Sequence, residues 1–180
     1  MKCRFCKTTL EDVFIDLFNS PASNSFLTKD QLNEPETYFP LKVYTCPSCF
    51  LVQLDEYQSS EEHFSNDYVY FSSFSTSWLA HAKRYTDTMT ERFGLNGQSQ
   101  VMEIASNDGY LLQYFLEKKI PVLGIEPTKN TAAVAISKGI ETVTEFFGVA
   151  FAQKLAGSGR KADLLLGNNV LAHVPDINDF

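Results

Sequence analysis

The chain has no run of five basic residues, and its formal charge is −7 with a pI near 4.9. A nucleic-acid surface needs clustered Lys and Arg to neutralise phosphates, so that class of partner is excluded. No apolar stretch approaches membrane-spanning length, and Met1-Lys2-Cys3-Arg4-Phe5-Cys6 holds no signal-peptide core. The expectation is therefore a cytoplasmic protein with no membrane partner. Internal repeats and low-complexity tracts are lacking too. Cysteines are few, 4 in 180 residues, and in a reducing compartment they read as metal ligands rather than disulfide partners.

What is present is ordinary for a globular protein: 44% hydrophobic and 21% charged residues, enough for one domain or two small ones. Residues 1 to about 70 look irregular, with short apolar runs and two Cys-x-x-Cys pairs. From Ser72 the character changes. Ser72, Ser73, Ser75 and Thr76 offer caps, and Leu79, Ala82, Tyr85, Met89 and Phe93 recur near helical spacing up to Gly94. Beyond Gln100 strands alternate with helices. Strands are expected at 101–105, 121–126, 141–144 and 162–166, and helices at 110–119, 131–138 and 149–155. Lys118 and Lys119 are placed to complement the dipole of the first of these helices. Alternation of this kind implies a parallel sheet with right-handed crossovers. The expected organisation is a small module over 1–70 and an α/β domain over 71–180. The chain stops at Phe180, where a further helix would begin, and a four-stranded sheet would expose its far edge. A longer natural protein is expected on that ground.

Cys3-x-x-Cys6 and Cys46-x-x-Cys49 are knuckles, each able to aim two thiolates at one point. Four thiolates suit Zn2+ in a closed, structural tetrahedron. Extended runs at 42–45 and 50–54 flank the second pair as in a zinc ribbon, with a long insertion between the pairs. The competing readings are four buried cysteines, or a redox pair, for which a thioredoxin-like βαβ setting is missing.

Glu103-Ile104-Ala105-Ser106-Asn107-Asp108-Gly109 occupies the first βα turn, where ligands of doubly wound sheets bind. This loop has neither the glycine triplet of a dinucleotide site nor the Gly-Lys-Ser/Thr of a phosphate cradle. Small residues, amides and carboxylates suit a zwitterionic amino acid bearing a sulfonium charge. Glu126, ending the second strand before Pro127, can accept hydrogen bonds from ribose hydroxyls, or can simply cap its own loop.

Taken together, Cys3 to Cys6, Pro21 to Phe26, Tyr44 to Cys49 with Leu51 to Leu54, Tyr68 to Ser73, Glu103 to Gly109, Gly124 to Pro127 and Asn168 to Asp176 resemble a known family. It is that of the S-adenosylmethionine-dependent sugar C-methyltransferases acting on nucleotide-linked deoxysugars. The resemblance implies a four-cysteine zinc domain ahead of a class I methyltransferase sheet, with a small-molecule substrate. It implies that Glu126 holds the cofactor ribose, Ala105 and its neighbours face the methionine part, Phe147 lies against the adenine, and Asn168 helps close the site. Tyr68 or Tyr70 and His173 would line the sugar pocket, and a Glu-His pair thought to serve as base would fall beyond Phe180. The duller readings are an aromatic cluster for Tyr68, Tyr70 and Phe71, and a helix-start residue for His173. An O- or N-methyltransferase, or a non-catalytic zinc-ribbon binding module, are the alternative functions. No motif speaks to oligomeric state.

Overall fold

The computed structural model describes residues 1–64 and 68–180, the side chain of Glu61 excepted. The chain forms two compact units, Met1–His63 with Val174–Asp179, and Phe64–His173 with Phe180.

The first unit is a three-stranded antiparallel sheet in the order β1-β2-β3, with β1 Asp12–Pro21, β2 Tyr38–Thr45 and β3 Val52–Leu54. A single turn of helix, α1, spans Ser60–His63. Strand β1 corrects the expectation of irregular chain before residue 70. Its apolar residues do not alternate, because the pairing with β2 is interrupted between Val13 and Ile15 and again between Asp16 and Asn19. Phe18 stands in the left-handed region at φ 63°. Its large side chains stay in solvent, Phe14 at 66% and Phe18 at 81% exposure, so no buried face marks the strand in sequence. The buried core of this unit is Leu10 with Cys3 and Cys46, packed by Tyr44 and Leu51. Apolar burial on that scale does not balance the ordering of a chain this long, and a bound metal supplies the difference.

The second unit is a parallel sheet in the order β6-β5-β4-β7. Its strands are β4 Val101–Ile104, β5 Val122–Ile125, β6 Thr142–Val143 and β7 Leu164–Gly167. The helices are α2 Thr76–Phe93, α3 Leu112–Glu117, α4 Lys129–Ser137 and α5 Val149–Gly157. The expected α/β alternation is present. Strand β4 pairs with both β5 and β7, so the strand order reverses beside it and a crevice opens at the strands' carboxyl ends. Alternation along the strands divides the core. Val101 and Val122 pack with Leu112, Phe115 and Ala82, while Met102, Ile104, Leu123 and Ile125 pack with Leu155.

Helix ends follow local chemistry. Ser75 caps α2 by accepting from the Trp78 amide, and Gly94 closes it at φ 62°. Residues 72–74 form a separate 3-10 turn instead of extending α2. Helix α3 stops at Glu117, so Lys118 and Lys119 lie past it, and Lys118 pairs with Asp87 of α2 at 2.7 Å. Among the described residues no helix is long and apolar enough to cross a membrane.

Candidate metal centre and cofactor site

The two cysteine knuckles repeat one local conformation. Lys7 and Phe50, each just after the second cysteine, take left-handed φ values of 62° and 64°. Their amides donate to Cys3 O and Cys46 O at 3.0 Å, and the amides of Cys3 and Cys46 donate to Thr8 O and Leu51 O. The sulfurs therefore converge: Cys3 lies 3.6 Å from Cys49, Cys6 lies 3.5 Å from Cys46, and all four are within 4.8 Å of one another. Zn–S bonds of about 2.3 Å in a tetrahedron need sulfurs about 3.8 Å apart, so the set fits the ion. Gln53 steadies it, its Nε2 donating to Cys3 Sγ at 3.2 Å while its Oε1 accepts from the Arg4 amide. The Thr8 hydroxyl, then the Thr8 amide, bring the Cys6 thiol down to about 6, whereas, against the Leu51 backbone hydrogen bond, burial and the other three sulfurs push Cys49 up to about 12. Within the same unit Asn178 Nδ2 donates to Phe5 O at 3.0 Å, tying residues 174–179 to the first knuckle.

In the second unit Glu103, Asp108 and Glu126 are all buried at the carboxyl ends of β4 and β5. Glu126 spans two loops. Its Oε2 accepts from the Asn107 amide at 2.8 Å, and its Oε1 accepts from the Thr128 amide at 2.9 Å and from the Thr128 hydroxyl. The turn that carries Asn107 is tight, with Ala105 at φ 54° and Asn107 at φ 50°. Asparagine tolerates that region, whereas for alanine it costs about 1–2 kcal/mol. Two glycines make the turn possible. Gly109 sits at φ 74°, with Ile140 Cδ1 only 2.3 Å from where a Cβ would stand. At Gly124 a Cβ would meet Ser106 Oγ at 2.6 Å.

Glu103 is wholly buried, and desolvation, reinforced by the charges of Glu126 and Asp108, pushes its carboxyl up to about 8. Asn168, just after β7, donates to its Oε1 at 3.3 Å. Burial and the Glu103 charge hold the neighbouring Tyr110 phenol protonated. Glu103 Oε2, Asp108 Oδ1 and Ser106 Oγ are buried without a hydrogen-bond partner. Among the described residues the cation paired with this acidic trio is Lys138, whose Nζ lies 3.5 Å from Asp108 Oδ2. Buried acceptors without donors are costly, and a cationic ligand with donor groups would satisfy them.

The remaining expected residues are placed as follows. Pro127 is half-buried beside Glu126. Phe147 is half-buried against the Ile125 and Val143 face and meets Phe180 edge-on at 5.8 Å. Tyr68 is half-buried, its phenol raised by desolvation and then by the Glu126 charge, whereas Tyr70 is 51% exposed. His173 ends an exposed 3-10 turn, its ring 6.1 Å from that of Phe64. Sequence reasoning missed Thr128, Asn130 and Lys138, which hold the loops around the trio. No local pattern marks them, because their partners lie in other turns of the chain.

The fold and the two sites define a class: a four-thiolate metal module followed by a parallel α/β sheet with a buried acidic cradle at its strand ends. Residues 3–64 match the family described as "Putative zinc binding domain". Over 181 aligned residues the chain is 30% identical to C-methyltransferase NovU of Streptomyces niveus, covering 99% of the chain and 42% of that relative. The chain is thus NovU-like in sequence over its whole length and spans about two-fifths of that curated relative.

Among solved structures, magnesium protoporphyrin IX methyltransferase of Synechocystis PCC 6803 overlaps 55% of this chain and 49% of its own, at 17% identity and a TM-score of 0.39. YcgJ of Bacillus subtilis overlaps 49% and 30%, at 18% identity and a TM-score of 0.27. Overlaps that partial say nothing about chemistry.

Proposed function

We propose that this chain is the cofactor-binding part of a cytoplasmic, S-adenosylmethionine-dependent C-methyltransferase whose acceptor is a carbon of a nucleotide-linked 4-keto deoxysugar. The observation that carries the cofactor reading is the buried acidic trio Glu103, Asp108 and Glu126 with two carboxylate oxygens unpartnered. A sulfonium would add positive charge, and an ammonium group both charge and donors, to a cradle of three carboxyl groups whose paired cation is Lys138. Glu126 and the Ala105–Gly109 turn would take the ribose and methionine parts, Phe147 the adenine face, and Asn168 the closing side. The resemblance to a named C-methyltransferase favours carbon as the acceptor.

The cofactor, when bound, supplies an electrophilic methyl group. The carbon next to a keto group is acidic, and a base that removes its proton leaves an enolate whose oxygen needs donors. Tyr68, held protonated by desolvation and the Glu126 charge, can donate to that oxygen, with Tyr70 and His173 lining the acceptor side. Once held by Glu126, the Ala105–Gly109 turn and Phe147, the cofactor would present that methyl group to the nucleophilic carbon. Orientation of the two reactants supplies much of the acceleration. The zinc set Cys3, Cys6, Cys46 and Cys49 is closed and structural.

Calorimetry on the zinc-loaded chain tests the reading. S-adenosylhomocysteine should bind the wild type and lose its affinity in Glu126→Ala but not in His63→Ala. A nucleotide-linked 4-keto sugar should raise the melting temperature further. No heat with folded, metal-loaded protein refutes the cofactor reading for this chain, and indifference to the sugar refutes the acceptor.

A further inference from the structure

Residues Tyr68 to Ser73 run beside the turn Ala105–Gly109 as a strap, and the grip on it is almost entirely on its main chain. Asn130 Nδ2 donates to Tyr68 O at 2.5 Å. Asn107 Nδ2 donates to Tyr70 O at 3.0 Å, and Asn107 Oδ1 accepts from the Ser72 amide at 2.9 Å. Asp108 Oδ2 accepts from the Ser73 amide at 3.3 Å. Lys138, the C-cap of α4, donates to Ser73 Oγ at 3.0 Å and to Asp108 O at 2.7 Å. None of these bonds uses the ring or hydroxyl of Tyr68 or Tyr70.

Asn107 is the joint. Its amide is bound to Glu126 Oε2, its side chain clasps the strap on both sides of Phe71, and its own backbone is held at φ 50°. Any shift of the turn that frees Glu126 also moves the Asn107 carboxamide, and with it the two strap atoms it holds. Lys138 adds a second fastening by joining the strap, the turn and α4 through one ammonium group.

We infer that Asn107 and Lys138 are positioning residues that couple filling of the acidic cradle to the order of the strap, and so to the placement of Tyr68 and Tyr70. The identity of the cradle's ligand rests on the function proposed above; the clamp itself does not. The consequence is ordered assembly: the acceptor wall is set once the cofactor loop is set.

The test is amide hydrogen exchange on the full zinc-loaded chain, with and without S-adenosylhomocysteine, alongside calorimetry. If opening the strap requires opening the cradle, ligand at 100 times its Kd slows exchange of the Ser72 and Ser73 amides by up to about 100-fold. In the free protein, Asn107→Gly, which suits the left-handed backbone, and Lys138→Met should each speed those two amides at least about tenfold. The Leu123 amide, inside the sheet, should not change, which separates a loosened strap from a failed fold. Loss of the ligand-induced slowing in Lys138→Met, with binding still measurable, is the signature of coupling. Unchanged strap exchange on ligand binding, or in both variants, overturns the inference. No heat with S-adenosylhomocysteine overturns the functional reading and the coupling together, while faster exchange in the free variants would still uphold the clamp.

Discussion

Replacing Glu103 by glutamine should make the second unit more stable at alkaline pH and flatten its dependence on pH. Glu103 is wholly buried, and its carboxyl is raised from the ordinary 4.5 to about 8, first by desolvation and then by the charges of Glu126 and Asp108. Between those values the folded chain holds a proton that the unfolded chain has released. Stability therefore falls as pH rises through this window and is level on either side of it. Each pH step of one within the window is worth about 1.4 kcal/mol, and the whole rise corresponds to about 5 kcal/mol by pH 8.

Glutamine mimics the protonated acid in shape, keeps an acceptor for Asn168 Nδ2, and does not ionise. Trp78, the lone tryptophan, sits on α2 and reports this unit alone. Urea unfolding followed by its fluorescence at pH 6, 7, 8 and 9 should show the variant gaining on the wild type by about 2 kcal/mol between pH 6 and 8, then levelling off toward pH 9. The proposed cation-binding role gives a second, independent readout. S-adenosylmethionine affinity should climb with pH up to about 8 in the wild type, as the carboxylate becomes available, and stay level in Glu103→Gln. Parallel stability curves from pH 6 to 8 would refute the claim that this carboxyl is kept neutral by burial.

Chelation of zinc, or Cys46→Ser, should unfold the first unit, since a structural zinc of this kind contributes on the order of 10 kcal/mol; elemental analysis should give one zinc per wild-type chain, and exchange at the Phe50 amide reports the loss. Gly124→Ala puts a methyl group 2.6 Å from Ser106 Oγ, and should cost about 1–3 kcal/mol in thermal unfolding. Ser106→Ala in the same chain should recover part of that loss, because the crowded hydroxyl is gone. Phe115→Ala removes the largest fully buried side chain in the core against α2, and should cost about 3–5 kcal/mol in urea unfolding with cofactor-product binding retained below the transition.

The two Cys-x-x-Cys pairs were legible along the chain because each knuckle is a local structure, closed by bonds between residues four or five apart. So was the α/β alternation from Val101 onward, since buried parallel strands read as short apolar runs between helical spacings. The place of Glu126 at a strand end followed from the same pattern. Strand β1 was not legible: it is paired over residues 38–45 yet exposed on its apolar side chains, so burial left no period in it. What only the tertiary structure decided is the company the site residues keep. Glu103 is ionisable anywhere, and it is raised to about 8 because three carboxylates from two strand ends share one dry place. Ser72, the Asn107–Asp108 pair and Lys138 are remote in sequence, and their meeting depends on the parallel register that aligns Ile104 with Ile125. Chain-local patterns set where elements start and stop. Desolvation and hydrogen-bond partnership are properties of the folded interior, and they turn those residues into a site.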